Sequence, residues 1–272
     1  MVEWMVMEDL ANLACATSPG QPFGCTELYA GNERAHRHVS LPGLEGDVIA
    51  LPSGNRQGGD LYALFSCGAQ RFARMVLADA LGHGFEASRA AGYVHQLLHQ
   101  HADVRDTAGL LAALNSIFDP HLGDASGPLR LTTAVTANFD RITGEFNYAY
   151  AGHPRMLLWR RAKGWRPLGE DLAGLPLGVI AGESYSQQSV RLEPGDMVMA
   201  FSDAVTEVAA PHGEQLGAPG FLNLANTVSH LLPSASLHDV AAGLLESVIG
   251  YQGSNEFRDD LTLLLLRRTA VD

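Results

Sequence analysis

Along most of the chain the apolar residues fall in short runs of strand length rather than in long helical stripes. Residues 60–67 (DLYALFSC) and 71–79 (RFARMVLAD) are two such runs, and Gly68, Ala69 and Gln70 between them give the spacing of a β-hairpin. The period then changes. Ala90, Ala91, Val94, Leu97 and Leu98 recur at helical spacing within 85–100, and Leu110, Leu111, Leu114 and Phe118 do so within 107–118, where Asp106 supplies an N-cap. Strand-like runs return at 131–140, 145–152, 155–159, 186–192 and 196–202. Helices are predicted near 221–231 and 237–249, and LTLLLLRR at 261–268 reads as a closing strand. Strands, two helices, strands, two helices and a last strand predict an α+β fold, a two-sheet antiparallel sandwich covered by helices. Residues 1–40 look loosely organised, with turn chemistry in TSPGQPFG, and are expected to form an N-terminal arm with a regulatory or docking role ahead of a domain at 41–272.

Composition narrows the chemistry. Hydrophobic residues make up 46% and charged residues 18%, enough for a sizeable core. A net charge of −12, from 30 acidic and 18 basic side chains, repels a polyanion and argues against a nucleic-acid partner, whereas carboxylates can serve divalent cations. Cys15, Cys25 and Cys67 match neither a disulfide framework nor a zinc-ligand spacing, so reduced thiols are expected. The first 14 residues carry three acids and no basic residue, unlike a signal peptide, and no apolar run approaches the roughly 20 residues of a membrane span. No membrane contact and a cytoplasmic location are expected.

The hairpin places two acids symmetrically about its turn. In a regular register Asp60 and Asp79 face each other with Cβ atoms roughly 4.5–5.5 Å apart, a repulsive pair that a divalent cation would turn attractive. A slipped register would instead leave both solvated at strand ends. Asp203 ends the apolar run MVMAFS, and Asp259 and Asp260 immediately precede LTLLLL. A single acid in such a place is more often a turn residue or cap; together they suggest an oxygen-ligand site at the mouths of buried strands. Gly82, His83 and Gly84 lead into a predicted helix and could cradle a phosphate on backbone N–H groups, or simply make a tight turn. His153 reads as structural, between Gly152 and Pro154. His95, His99 and His101 have a spacing that resembles a metal pair, but a solvated or packed helix face explains them better. Ser88 and Ser202 lack a general-base partner and are poor candidates for a nucleophile.

Six segments in order carry a resemblance: GGDLY around Asp60, ADALGHG at 78–84, YAGHP at 150–154, LPLGV at 175–179, PGDMVMAFSDAVTE at 194–207 and RDDLTLL at 258–264. The chain resembles the PPM-type metal-dependent protein serine/threonine phosphatases, in the bacterial SpoIIE-like branch that includes stress-response phosphatases. The resemblance implies an αββα sandwich and two divalent cations, Mn2+ or Mg2+. It implies Asp60, Asp79, Asp203 and Asp259 as metal ligands, with Asp79 bridging. The backbone carbonyl of Ala80 would take a further position, and Asp260 is a weaker candidate. It further implies attack of an activated water on a phosphorylated protein substrate, such as an anti-sigma-factor antagonist in a partner-switching pathway. Control would come from a separate regulatory protein or from residues 1–40. Two departures stand out: Ala80-Leu81 before the GHG step, and Ala204 after Asp203, where the family carries glycine. If that glycine needs positive φ, Ala204 costs about 1 kcal/mol or forces a local shift. A catalytically weak phosphoprotein-binding module and a small-molecule phosphohydrolase remain alternative readings.

Overall fold

The computed structural model describes residues 23–54, 57–82, 84–118, 131–169, 174–231 and 235–270. Twelve strands among them form two six-stranded sheets. One sheet has the order β1 (Cys25–Glu33), β4 (Gln57–Cys67), β5 (Phe72–Ala80), β6 (Thr132–Asp140), β7 (Glu145–Ala151), β10 (Gln188–Arg191). The other has the order β2 (Ala35–Leu41), β3 (Leu44–Leu51), β12 (Leu261–Arg268), β11 (Met197–Phe201), β8 (Leu157–Arg160), β9 (Gly164–Pro167). All the ladders between named strands are antiparallel.

Side-chain alternation explains the layering, because successive residues of a strand face opposite sides. In β4, Tyr62 and Leu64 face the other sheet, while Leu61, Ala63 and Phe65 face α1 (Phe85–Gln100) and α2 (Thr107–Ile117). In β12, Leu264 and Leu266 point into the sandwich, and Leu263 and Leu265 face α4 (Gly217–Leu231) and α5 (Leu237–Gln252). Three buried clusters result, one between the sheets and one under each helix layer, which is the predicted αββα arrangement. Strands apolar on both faces could not be stable without both helical layers. Asp106 caps α2 by accepting from the Gly109 N–H, as expected.

Three expectations change. Residues 25–40, assigned from sequence to the arm, instead supply β1 and nearly all of β2, so the domain begins well before residue 41. Their alternation is weak because both are edge strands, exposed along much of their length. Any docking role of the arm falls mainly on residues 1–22, outside the described residues. Cys25 and Cys67 are not free thiols: they lie directly opposite each other on β1 and β4 and form a disulfide. The pairing follows from strand register across 42 residues, which linear Cys spacing does not reveal. Finally, β9 and a one-turn helix α3 (Ala204–Glu207) were not anticipated; four residues are too few for either period to register.

Candidate metal centre

The β4–β5 hairpin has the regular register: Asp60 lies opposite Asp79. Its turn holds Gly68, Ala69 and Gln70 at positive φ, which centres the hairpin where the symmetry argument requires. Asp60 shares its face with Tyr62 and Leu64, and Asp79 shares its face with Leu77 and Met75, so both carboxylates point between the sheets. From the facing sheet, β11 ends into Asp203 and Asp259-Asp260 leads into β12. The acids therefore gather at one open end of the inter-sheet core.

Electrostatics records that convergence. Asp60 is 5% exposed, and neither carboxylate oxygen has a hydrogen-bond partner. Its pKa is raised well above the ordinary carboxylate value, first by burial and then by the charge of Asp79. The Ser202 and Thr262 hydroxyls lie close enough to counter part of the rise without making well-formed hydrogen bonds to it. Asp79 is pushed up to about 7 by burial, then by Asp203, Asp259, Asp260 and Glu207. Asp203 is raised by burial, then by Glu207 and Asp259. Glu207 is the acid that sequence reasoning missed. Its signal was available, since it stands one helical turn after Asp203 and donates its N–H to the Asp203 carbonyl at 2.9 Å.

Asp260 behaves differently from its neighbours. Its Oδ1 accepts from the Ser53 N–H at 2.6 Å and its Oδ2 from the Gly59 N–H at 2.5 Å. The GGD sequence explains itself here. A Cβ on Gly58 would stand 2.5 Å from Asp260 Cγ, and one on Gly59 would stand 2.8 Å from the Ala80 carbonyl oxygen. Both glycines let the start of β4 close against this carboxylate and against the end of β5. Asp260 thus clips the β3–β4 connection to β12, which suits it better to holding the frame than to direct ligation. Asp260→Ala is expected to lower stability by about 3 kcal/mol or more, because each charge-assisted bond contributes about 1.5–3 kcal/mol. Urea denaturation checks this: an unchanged midpoint would mean that the two bonds contribute nothing.

Ala80, Gly82, Gly84, Ala204 and His153 stand next to the acidic cluster or to elements that carry it. Ala80 closes β5 next to Asp79, and Gly82 and Gly84 both adopt positive φ, with Gly84 as the N-cap of α1. His83 lies outside the described residues. Ala204 opens α3, and among the described residues only Ala69 and Gln70 are non-glycines at positive φ, so the strain considered for Ala204 does not arise. His153 is buried, with Nδ1 2.8 Å from the hydroxyl of Thr133, the residue opposite Asp79 on β6. Burial pushes its pKa down to about 3, so the ring is neutral at ordinary pH. His95 and His99 both contact Glu27 on β1, away from the acidic cluster.

An antiparallel double sandwich between helical layers is a fold this chain shares with solved PP2C domains, among them that of SpoIIE from Bacillus subtilis, with a TM-score of 0.64 at 20% identity over 81% of this chain and 61% of that one. It superposes on the RsbU and RsbW domains of Rv1364c from Mycobacterium tuberculosis with a TM-score of 0.72 at 24% identity, covering 90% of this chain and 65% of that one. It also matches RsbX in complex with magnesium, with a TM-score of 0.62 at 18% identity over 86% of this chain and 99% of that one. The chain belongs to the SpoIIE family: the family model for stage II sporulation protein E matches residues 70–269. A curated relative, the phosphoserine phosphatase RsbU of Bacillus subtilis, is 27% identical over 227 residues, covering 83% of this chain. The chain spans 63% of that relative's length. Among the described residues, no helix is long and apolar enough to cross a membrane.

Proposed function

We propose that this chain is a metal-dependent protein serine/threonine phosphatase, hydrolysing a phosphoserine or phosphothreonine protein in a partner-switching pathway. One observation carries the reading. Asp60 is buried between two sheets with both oxygens unpartnered, opposite an Asp79 that is itself crowded by Asp203 and Asp259. Such a cluster opposes folding unless cations occupy it. The donors are all oxygen, which suits a hard divalent ion such as Mg2+ or Mn2+. Asp60, Asp79, Asp203 and Asp259 would hold two such ions, with the Ala80 carbonyl adding a ligand and Asp260 fixing the frame. Bound there, the ions would supply the Lewis acidity that activates a water and offsets charge on the phosphoryl oxygens.

The chain's own groups do the positioning. Ser202 is no nucleophile: its hydroxyl donates to the Asp260 carbonyl at 3.2 Å and accepts from the Thr262 N–H at 2.8 Å. That favours direct hydrolysis without a phosphoenzyme. The N–H groups at the start of α1, after Gly82, His83 and Gly84, offer a phosphate cradle. Leu81 and Phe85 flank that step with 60% and 74% of their surfaces exposed, an apolar rim that suits a protein substrate better than a nucleotide. By kinship with RsbU, an anti-sigma-factor antagonist is the leading substrate class. A separate regulatory protein or the N-terminal residues would control the enzyme, and its compartment would be the cytoplasm.

Turnover measured on a phosphoserine protein, a nucleotide and a simple aryl phosphate, with Mn2+ and with chelator, tests the reading. Phosphate release from the phosphoprotein that stops on chelation and returns with Mn2+ is expected. Phosphoprotein binding without release would favour the regulatory module, and preference for the nucleotide would overturn the substrate assignment.

A further inference from the structure

Away from the acidic cluster, three imidazoles gather on one carboxylate. Asp47, in the middle of β3, is fully buried and alternates with Val48 of the inter-sheet core, so it points to the α5 side together with Ile49. His38 lies opposite Asp47 in the β2–β3 ladder, and His36 stands two residues earlier on the same face of this outermost strand. His238 arrives from the first turn of α5. Its Nδ1 is 2.8 Å from Asp47 Oδ1, His36 Nε2 is 3.5 Å from the same oxygen, and His38 Nδ1 is 3.4 Å from Oδ2. The His36 and His238 rings stack with centroids 4.1 Å apart and planes 13° from parallel.

A carboxylate withdrawn from water needs a cation. The ion-pair partners of Asp47 among the described residues are histidines alone. The stacked pair is a poor place for two positive charges. Two stacked imidazolium ions would repel, and a cation in the first turn of α5 opposes the helix dipole. His36 accordingly has a lowered pKa, from burial first and then from His238. Neutral imidazoles present lone pairs, the form that ligates metals. Donor atoms 2.0–2.1 Å from a tetrahedral ion stand about 3.3–3.4 Å apart. The 3.5 Å spacing of His36 from Oδ1 already matches, and the 2.8 Å one needs only an outward swing of the His238 side chain, which is 57% exposed, while His38 faces the other oxygen, Oδ2.

We propose that Asp47, His36 and His238 form a site for a zinc-class divalent metal, fastening the first turn of α5 to the edge strand β2. Two nitrogens and one oxygen, Asp47 Oδ1, supply three positions of a tetrahedral set, and a water would take the fourth. Asp47 pairs with Leu265, five residues along β12 from Asp260, or about 17 Å at ~3.4 Å per residue. The site is therefore separate from the acidic cluster, and its ligands are of a different class. The other histidine cluster, around Glu27, is less suited. Its half-buried carboxylate already takes His95 and His99 at 2.5 and 3.0 Å, which is hydrogen-bond spacing.

Cobalt distinguishes the two kinds of site, because four-coordinate nitrogen/oxygen Co2+ absorbs strongly in the visible and six-coordinate oxygen sites absorb weakly. Metal-free protein should develop the strong band with one equivalent of Co2+ and lose it to one equivalent of Zn2+. Asp79→Asn should retain the band, so failure of the phosphatase reading would not remove it. His36→Ala and His238→Ala should lose it and bind Zn2+ more than about 100-fold more weakly, beyond the 10–100-fold that an outer partner costs. The replaced side chains are 34% and 57% exposed, so both variants should fold, as circular dichroism would verify. Zn2+ should also raise the melting temperature of wild type but not of His238→Ala. A weak six-coordinate spectrum in wild type, or Zn2+ affinity unchanged in both variants, would overturn the proposal and leave a hydrogen-bonded histidine–carboxylate cluster.

Discussion

Asp79→Asn should abolish turnover while making the metal-free protein more stable. The amide keeps the shape of the carboxylate but removes the charge that faces Asp60 across the hairpin and feels Asp203 and Asp259 from the other sheet. Losing a central metal-binding carboxylate should lower kcat on a phosphoprotein by about 10^3-fold or more, ~4 kcal/mol of barrier. Relief of repulsion should raise the stability of chelated protein at pH 7.5 by up to about 4 kcal/mol, at roughly 2–4 °C in Tm per kcal/mol for a domain of this size. The opposite signs are diagnostic. A purely structural aspartate would lose stability on substitution, and one remote from the chemistry would leave turnover intact. Phosphate-release kinetics and thermal melts with chelator, on the same two proteins, separate these outcomes. Retained activity would remove Asp79 from the site.

Most of this cluster could be read from sequence because its geometry is local or symmetrical. The hairpin fixed Asp60 against Asp79 through the midpoint of a short turn, and a one-residue slip would have turned Asp60, Tyr62 and Leu64 from the inter-sheet side to the helix side. Asp203 and Asp259 were legible as acids at the ends of apolar runs. What sequence could not provide was anything decided by long-range packing. Asp260 read as a weaker candidate ligand beside Asp259, and only contacts with Ser53 and Gly59, more than 200 residues earlier, show its oxygens to be engaged. Cys25 and Cys67 pair through a ladder whose strand β1 has no clear alternation. The Asp47 cluster draws on β2, β3 and α5, with Asp47 and His238 separated by 191 positions, so no spacing rule could have assembled it. His95 and His99, which did have metal-like spacing, contact Glu27 at hydrogen-bond distance. In this chain local periodicity located elements and strand-end chemistry, whereas edge strands and cross-layer clusters needed the tertiary arrangement.

Stability of the metal-free protein should fall as pH rises from about 4.5 to 7.5, and divalent cations should cancel that fall. Asp79 has its pKa raised from the ordinary 3.8 to about 7, by burial first and then by the neighbouring acids. In the unfolded chain it has lost its proton by about pH 5, while in the folded chain it still holds one. The folded state therefore binds more protons across this window, and stability decreases with pH until Asp79 ionises in the fold. At 1.36 kcal/mol per tenfold, that one group contributes about 4 kcal/mol of lost stability by pH 7.5. Asp60 and Asp203 are raised as well and add to the same slope. Asp140 runs the other way: Arg71 holds its pKa down despite burial, so its contribution is lost only on acidification below about pH 4, outside the window. Groups remote from the cluster are common to wild type and Asp79→Asn and cancel in the difference between the two melting curves, which leaves Asp79 and the rise its charge imposes on Asp60. That difference should be small at pH 4.5 and grow to roughly 8–16 °C by pH 7.5 in chelator if the full penalty is relieved, less to the extent that the amide is itself poorly solvated. With saturating Mn2+ the wild-type curve should flatten, because a bound cation stabilises the ionised carboxylates. A wild-type curve that rises with pH in chelator, parallel to that of the variant, would mean that these acids are solvated separately and do not share a site.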